Sequence, residues 1–594
     1  MPPGKHPVTP FRARRAGATT ACLLAGALLL AGCDGGSSPT DVLAACPAAV
    51  VPIHAVQGRD FDSPRLGETV EITGVVTRVV GDGLYVESLA PDDDPRTSEG
   101  LFLQVPVSDP ATFAAGTVVT ARGQVAELGE ARDTKTALVA IERLLPCGPA
   151  RPRPLTATSL PLGGPDREAI ENMRVSLGGA SVVTDVYRLD EGAFRIALDA
   201  PLAQATEVER PGADIREHDG RNWAHSLHAR LAPDDTAVFA VGDELLSAEG
   251  VMGNAGRGPV LLLDAPARLL SRAPPTPTRP GGDVLRVVSY NLLNYFNGDG
   301  AQGGFPAPRG AETPAEFDTQ RQRFRASFER LQPDVLAVQE LENDGFGPTS
   351  AAADLLRDLE AATGHAWAVA LPDAGANTQT ARIGSDDIAV GLFYRTDLLM
   401  PVGPARLLDA APFDLLSRTP LAQALEHRTT GQRLLVAVNH FKSKGSCPEQ
   451  GRDRDQNDGQ GCWNAARRAA AEALAPWALE LATAETGGDV LLVGDFNAYR
   501  MEDPVQRLLI AGFVDLTAPS GGGHHFSFVY AGESGTLDHA LASRSLAGKI
   551  ADARILNVNS VWNRRLPRPE PWLGASDHDP VVVDVRLTQA STSD

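Results

Sequence analysis

The feature that most constrains this chain is a set of apolar runs that end in polar or charged residues, spread over its C-terminal part. Five of them stand out: Ser289-Tyr290-Asn291-Leu292-Leu293-Asn294, Ala337-Val338-Gln339-Glu340, Val438-Asn439-His440-Phe441-Lys442-Ser443-Lys444, Val493-Gly494-Asp495-Phe496-Asn497 and Ser576-Asp577-His578-Asp579-Pro580. A sixth, Thr536-Leu537-Asp538-His539, is slightly weaker. The apolar runs read as buried strands over Leu285–Tyr290, Val335–Gln339, Ala389–Tyr394, Arg433–Asn439, Val490–Val493 and Val581–Arg586. Helical periodicity falls between them, over Phe317–Arg330, Ala351–Ala362 and the Ala-rich Asn464–Ala484. Strands alternating with helices predict α/β layering. The polar tips sit at strand ends, where burial without a partner is costly.

Ahead of this part the pattern changes. With 594 residues the chain is too long for one core, and length alone predicts about three or four domains. Val70–Thr77, Gly83–Ser88, Gly100–Val105, Val118–Val125 and Ala137–Ile141 read as five short strands between Gly and Asp-Gly turns, so residues 50–150 are expected to form a small β-barrel or sandwich. Residues 151–272 are also β-leaning, with candidate strands at Val175–Leu177, Val182–Tyr187 and Val260–Leu263. Gly242–Leu245 followed by Gly250–Gly253 echoes the first module, which predicts a second β-rich module. Residues 273–282 are Pro-rich, a stiff linker before a domain spanning 283–590.

The N-terminus bears on compartment. Lys5, Arg12, Arg14 and Arg15 precede an apolar stretch, roughly Ala21–Ala31, that ends in Leu30-Ala31-Gly32-Cys33. The stretch is short for a membrane span. It resembles a bacterial lipoprotein signal over residues 1–32, with Cys33 as the lipidated residue and 33–49 as a tether; the alternative is a plain secretory peptide with an incidental Cys. An exported, membrane-anchored protein is therefore expected. Four cysteines remain after Cys22 and Cys33, and an even remainder in an exported chain predicts two disulfides. Of three connectivities, Cys46–Cys147 and Cys447–Cys462 are favoured, each closing one module or loop. The formal net charge of −21 argues against packaging of nucleic acid by phosphate neutralisation, but not against hydrolysis, since metal-binding carboxylates add negative charge by design.

In this order the six polar-tipped segments resemble the endonuclease/exonuclease/phosphatase family, which includes DNase I-like nucleases, abasic-site endonucleases and several lipid and inositol phosphate hydrolases. The resemblance runs roughly from Asp283 to Leu587. It implies a four-layer α/β sandwich with two central mixed sheets and the site at one end. Ile53-His54-Ala55-Val56-Gln57-Gly58 with Gly74-Val75-Val76-Thr77 resembles the OB-fold module ahead of the catalytic domain in large bacterial extracellular nucleases. Phosphodiester hydrolysis needs a metal against the phosphate charge, an aimed and activated water, and a stabilised leaving oxygen. The resemblance implies that Glu340, helped by Asn291 and Asp577, holds Mg²⁺, with Mn²⁺ or Ca²⁺ as alternatives. Asp495 aligns or deprotonates the water and Asn497 holds the phosphate. Asp538 and His578 form a carboxylate–imidazole pair, and His440 serves as phosphate ligand or leaving-group acid. Asn294, Arg418, Lys442 and Lys444 are the candidate phosphate or substrate contacts.

Other polar residues are expected to be structural or exposed: Asp503, Asp515, Asp579, His524, His525 and His539, with Asn464 and Arg467 on the surface of the Ala-rich helix. One departure from the family pattern stands out. The segment Asn559–Leu573 is short and rich in Arg and Pro, unlike the longer acidic stretch of the related nucleases, so the closure of the groove on that side is open.

The function these observations imply is an exported, metal-dependent phosphodiesterase, foremost a nuclease of extracellular DNA, with RNA as a further substrate. Competing readings are a phosphatase or phospholipid phosphodiesterase using the same site, and a binding protein with a decayed site; the full set of expected catalytic residues weighs against decay. No protein partner is evident in the sequence. The anchoring reading makes a direct prediction: Cys33→Ser releases the protein from membranes without changing the activity of the catalytic domain, and metabolic palmitate labelling that survives the substitution refutes it.

Overall fold

The computed structural model describes residues 45–587, apart from 48–49, 107–109, 131–132, 149–157, 160–166, 199–200, 255–257, 282, 299–303, 373–380, 415 and 519–524. The signal segment, Cys33 and His524 therefore lie outside the described residues. Strands β1 (Thr69–Val80), β2 (Gly83–Ser88), β3 (Gly100–Gln104), β4 (Val118–Glu130) and β5 (Asp133–Pro146) close into a barrel in the order β1-β2-β3-β5-β4. Val70, Ile72 and Val76 of β1 alternate into its core, and the short helix α1 (Ile53–Gln57) adds Ile53 and Val56. Cys46 and Cys147 are disulfide-bonded, with Cα atoms 5.0 Å apart, and Cys447 is bonded to Cys462.

The second β domain contains β6 (Thr158–Ser159), β7 (Arg174–Asp185), β8 (Ala193–Ala197), β9 (Ser226–Arg230), β10 (Glu244–Asn254), β11 (Pro259–Leu263) and β12 (Arg268–Leu270). They form one sheet ordered β12-β10-β11-β9-β8-β7-β6, and β10 also pairs with β7. Two helices interrupt it, α2 (Ala205–Val208) and α3 (Ile215–Ala224). Neither has a legible apolar stripe; α3 buries only Ile215 and Asn222. Glu171 joins this domain to the barrel by accepting from the Thr136 N–H (2.9 Å) and the Gln57 amide (3.3 Å).

The C-terminal domain has four layers. One sheet, ordered β15-β16-β14-β13-β27-β26, is built from β13 (Val284–Tyr295), β14 (Val335–Glu342), β15 (Trp367–Val369), β16 (Ile388–Arg395), β26 (Ile550–Ile555) and β27 (Val581–Arg586). The other runs β17-β19-β20-β21-β25-β22, with β18 beside β19; its strands are β17 (Leu399–Pro401), β18 (Arg406–Leu407), β19 (Leu421–His427), β20 (Arg433–His440), β21 (Val490–Asp495), β22 (Val514–Asp515) and β25 (Asp538–Ala542). Val287, Val335 and Val583 of the first sheet pack against Val436, Leu491 and Ala540 of the second. Helices α4 (Pro314–Leu331) and α5 (Ala351–Thr363) cover the outer face of the first sheet. Helix α6 (Asn464–Glu485) and α7 (Asp503–Ile510) cover the other, with α8 (Arg544–Ala547) after β25. Thr313 and Ser350 cap α4 and α5 by accepting from the N–H groups of Glu316 and Ala353. The expected α/β sandwich is thus present, and β-rich domains precede it.

The second β domain is locked to the sandwich next to the polar strand ends. A small hairpin, β23 (Phe528–Tyr530) and β24 (Glu533–Gly535), leads into β25. It is held by backbone bonds from Ser534 N–H to the Leu202 carbonyl (3.0 Å) and from Gln204 N–H to the Ser534 carbonyl (2.9 Å). Buried Glu207 enters the sandwich and accepts from Arg500 Nε (3.1 Å), Thr536 N–H (2.9 Å) and Thr536 Oγ1 (3.1 Å). Arg500 is also paired with Asp515, so removing Glu207 costs mainly the acceptor of the buried Thr536 N–H, at about 1–3 kcal/mol. Glu207→Ala is therefore expected to lower the calorimetric melting temperature of the sandwich by several degrees; an unchanged thermogram contradicts this coupling.

Candidate active site

Backbone strain sets the floor of the site. β13 and β14 pair in parallel up to Asn291–Gln339 and resume only at Tyr295–Leu341. Within that break Leu293, Asn294 and Glu340 adopt positive φ values of 52°, 51° and 62°. Left-handed non-glycine residues cost energy and persist only where surroundings hold them. Here the Asn294 N–H donates to Glu340 Oε2 at 2.9 Å, which fixes the carboxylate. Asn291 Nδ2 lies 3.4 Å from Glu340 Oε1 and 3.3 Å from Asp495 Oδ2, so this amide bridges the two sheets.

On the second sheet, β20 and β21 run parallel and pair His440 with Asp495, while β25 sets Asp538 beside Asp495. His440 Nε2 is 3.5 Å and His578 Nε2 is 4.0 Å from Asp495 Oδ2. His578 Nδ1 contacts Asp538 Oδ2 at 2.7 Å. Asn497, at φ 49°, returns over the turn, donates its N–H to Asp495 Oδ1 (2.8 Å) and its amide to the Phe441 carbonyl (3.1 Å). Six predicted residues from five segments, Asn291, Glu340, Asp495, Asn497, Asp538 and His578, are thus brought together, with His440 alongside from the sixth.

The charges are unequal. Burial pushes the Asp495 carboxyl up to about 7; His578 pulls it down and Asp538 pushes it further up. Burial, then the Asp577 carboxylate, raise Glu340. For His578 burial opposes the charge, but Asp538 and Asp495 overcome it and hold the imidazole well above its ordinary value. His440 goes the other way, driven well below by burial and then by Arg418. One imidazole is therefore cationic at neutral pH and the other neutral.

The remaining predicted contacts divide. Asp577 lines a cleft of 910 Å³, together with Phe528 and the buried Asn559. Arg418 is 3.2 Å from Asp386 and donates to the Phe441 carbonyl at 3.2 Å. Lys442 stands over the Trp463 ring, 5.0 Å from its centroid. The Lys444 ammonium is held by Glu502 at 2.6 and 2.7 Å and by the Gln460 carbonyl, so this half-buried cation is already paired with a buried carboxylate. Arg467 is corrected, since it is fully buried and donates to the carbonyls of Lys442, Cys462 and Gln460. Asp579 is structural, as expected, accepting from the N–H groups of Val558 and Asn559. His539, at 0% exposure, contacts the Ala498 carbonyl.

Sequence reasoning missed Ser527 and Phe528. The Ser527 hydroxyl donates to Asp538 Oδ2 at 2.7 Å while receiving the Asp538 N–H, and the Phe528 ring lies 4.7 Å from that of His578. No periodicity marks them, because they belong to the short hairpin held by the second β domain. Arg309 was also missed; it sits 3.4 Å from Asp386, beside Arg418.

The donor set suits a hard divalent cation. Burial and then the Asp577 carboxylate raise the proton affinity of Glu340, and oxygen ligands of this kind favour Mg²⁺-like ions. Asp495, Asp538 and His578 form a second group whose ligand atoms lie within 4.8 Å of one another. Asn291 departs from the expected oxygen ligand: its Oδ1 accepts the Leu293 N–H at 3.0 Å, and its nitrogen faces Glu340.

This fold and site define a hydrolase class. Residues 288–578 match the model of the Endonuclease/Exonuclease/phosphatase family. Among solved structures, the human nocturnin catalytic domain is 16% identical and covers 51% of this chain and 95% of its own, with a TM-score of 0.34. A mannosyl-6-phosphatase of Bacteroides thetaiotaomicron is 18% identical over 50% of this chain and 98% of its own (TM-score 0.33). D. rerio TDP2 complexed with single-strand DNA product is 14% identical over 51% and 98% (TM-score 0.32). No curated protein matches the chain.

The buried carboxyls predict a pH dependence. Asp495 and Glu340 have raised folded values, so the native state binds protons that the unfolded chain has released; their stabilising contribution is complete below about pH 4 and is lost as pH rises through the folded values, about 7 for Asp495. His578, also raised, adds a loss above its unfolded value of about 6.5. In EDTA, the wild type is expected to lose more melting temperature between pH 5 and 8 than Asp495→Asn, and Mg²⁺ is expected to raise it more at pH 8 than at pH 5. Parallel pH curves for the two proteins contradict this.

Proposed function

We propose that this protein is an exported, lipid-anchored, metal-dependent phosphodiesterase that acts on nucleic acid, foremost extracellular DNA. The observation that carries the reading is the Asp538–His578 pair at 2.7 Å facing a buried Asp495 whose carboxyl titrates near 7. A general base works best when its pKa lies near the working pH. Asp495 accepts a proton from the attacking water, held in place by Asn497 and the Asn291 amide. The water oxygen bonds to phosphorus as the bond to the leaving oxygen breaks in line, and the departing alkoxide takes its proton from solvent water. His578, kept cationic by Asp538, donates Nε2–H to a non-bridging phosphate oxygen. His440, neutral, is a second phosphate ligand and not the leaving-group acid.

Mg²⁺ or a similar ion held by Glu340 and Asp577 supplies charge neutralisation at the phosphate. Arg309, Arg418 and Lys442 gather on the His440 side and lower its pKa, a positive field that suits a polyanion. The five-stranded barrel, read as an OB-like module, is assigned an accessory role on the nucleic acid strand.

The test is turnover on plasmid DNA, RNA and a simple phosphodiester, with and without EDTA. His578→Ala and Asp495→Asn should each lower turnover by about 10²–10⁴. Glu340→Ala should raise the Mg²⁺ needed for half activity. Because Asp538 and His578 act as a unit, the double alanine variant should be little worse than His578→Ala. Wild-type activity in EDTA, or near-normal activity of folded His578→Ala, overturns the mechanism. Hydrolysis of phosphomonoesters alone overturns the substrate class.

A further inference from the structure

The Arg- and Pro-rich segment Asn559–Leu573 is clamped at both ends. At one end the Asn563 amide donates to the carbonyls of Val186 and Tyr187, both at 3.0 Å, and to Asp190 at 2.8 Å, all in the second β domain. At the other, Glu570 accepts from Arg330 of α4 (2.7 Å) and from Trp572 Nε1 (2.8 Å), while Ser327 Oγ donates to the Trp572 carbonyl (3.1 Å). Arg565 is paired with Asp190 at 3.1 Å. Arg564 and Arg568, between the clamps, and Arg323 on α4 make no ion pair or hydrogen bond among the described residues.

These three guanidiniums are close enough to oppose one another. Arg568 is lowered to about 10 by burial and then by Arg323 and Arg564, and Arg323 is lowered by burial and then by Arg564. No carboxylate appears among the groups acting on either. Arg568 Nε and Nη2 are buried without a partner, and Nε lies so near Gly574 that a Cβ there would come within 2.3 Å. Buried unpaired donors and clustered like charges are both costly.

The cluster adjoins the cleft that holds Asp577: Arg564 lines it and is its one guanidinium without a carboxylate partner among the described residues, against the carboxylates of Asp185, Glu312 and Glu316 of α4, while Arg565 is paired with Asp190. Arg323 follows Glu316 by seven residues, so it emerges on the same helix face about 10 Å along. We propose that Arg323, Arg564 and Arg568 form a second anion site that takes a backbone phosphate of a nucleic acid strand lying in the cleft, distinct from the phosphate being cleaved. Guanidinium forks match phosphate oxygens in geometry and charge. The inference rests on the nuclease reading and deepens it, because a substrate with one phosphate fills only one of the two positions.

The test measures anisotropy of a fluorescein-labelled single-stranded 12-mer in EDTA across salt concentrations, and kcat and KM on the unlabelled strand and on bis(p-nitrophenyl) phosphate. Arg564→Ala and Arg568→Ala should each weaken binding about tenfold and lower the salt slope by about 0.7. KM for the strand should rise with little change in kcat, and hydrolysis of the single-phosphate ester should change by less than about twofold. Should Arg568→Ala lose its fold by thermal melt, Arg568→Lys and Arg564→Ala decide. Wild-type affinity and salt slope in Arg564→Ala and folded Arg568 variants overturn the site while leaving the nuclease reading intact. A wild type that neither binds nor cuts the strand, yet hydrolyses the simple ester, overturns both.

Discussion

Glu340, Asp495, Asp538 and Asp577 meet at the ends of strands drawn from both sheets, and their mutual repulsion is the constraint around which the C-terminal domain is organised. Like charges in a low-dielectric site are tolerated only when imidazoles, amides and a cation are fixed opposite them. Each compensation here is placed by backbone. The left-handed turn at Asn294 delivers an N–H to Glu340, the turn at Asn497 delivers one to Asp495, and the register of β21 against β25 sets Asp538 beside Asp495. The apolar packing of Val287, Val335 and Val583 against Val436, Leu491 and Ala540 fixes the distance between sheets, and therefore the reach of the Asn291 amide from Glu340 to Asp495.

The second β domain is part of this arrangement rather than an appendage. It holds the β23–β24 hairpin from Leu202 and Gln204, and that hairpin carries Phe528 against His578 and follows directly on Ser527, which braces Asp538. The same domain anchors Asn563, so the Arg- and Pro-rich segment is stretched between two bodies instead of collapsing onto one. A short segment with both ends fixed loses little further entropy on meeting a ligand, which is how a loop comes to present guanidiniums without neutralising them.

Much of this was legible in the chain itself. Apolar runs ending in Glu340, His440 or Asp495 report buried strands with polar tips, because such a tip is tolerated only where partners wait for it. The helical periodicity of Phe317–Arg330 and Ala351–Ala362 announces two helices, and the alternation of Val70, Ile72 and Val76 announces a strand of a small β module, since both depend on neighbours in sequence. The order of the six segments carried the family and, with it, the sandwich.

What the sequence left open depended on residues far apart in the chain. Lys444 looks like an exposed cation after a strand, and only the approach of Glu502, 58 residues on, pairs it with a buried carboxylate. Arg467 looks like a surface residue on an Ala-rich helix, yet three carbonyls from the preceding loop close over it. Ser527 and Phe528 carry no periodic signal, and their value arises from a hairpin held by a domain more than 300 residues earlier. Local pattern is written by i, i+2 and i+4 neighbours and so determines strands, helices and their caps. The pairing of charges is decided by Coulomb energy between groups that only the tertiary fold brings together, and for that reason the ionisation of Asp495, His440 and His578 belongs to the structure and not to the sequence.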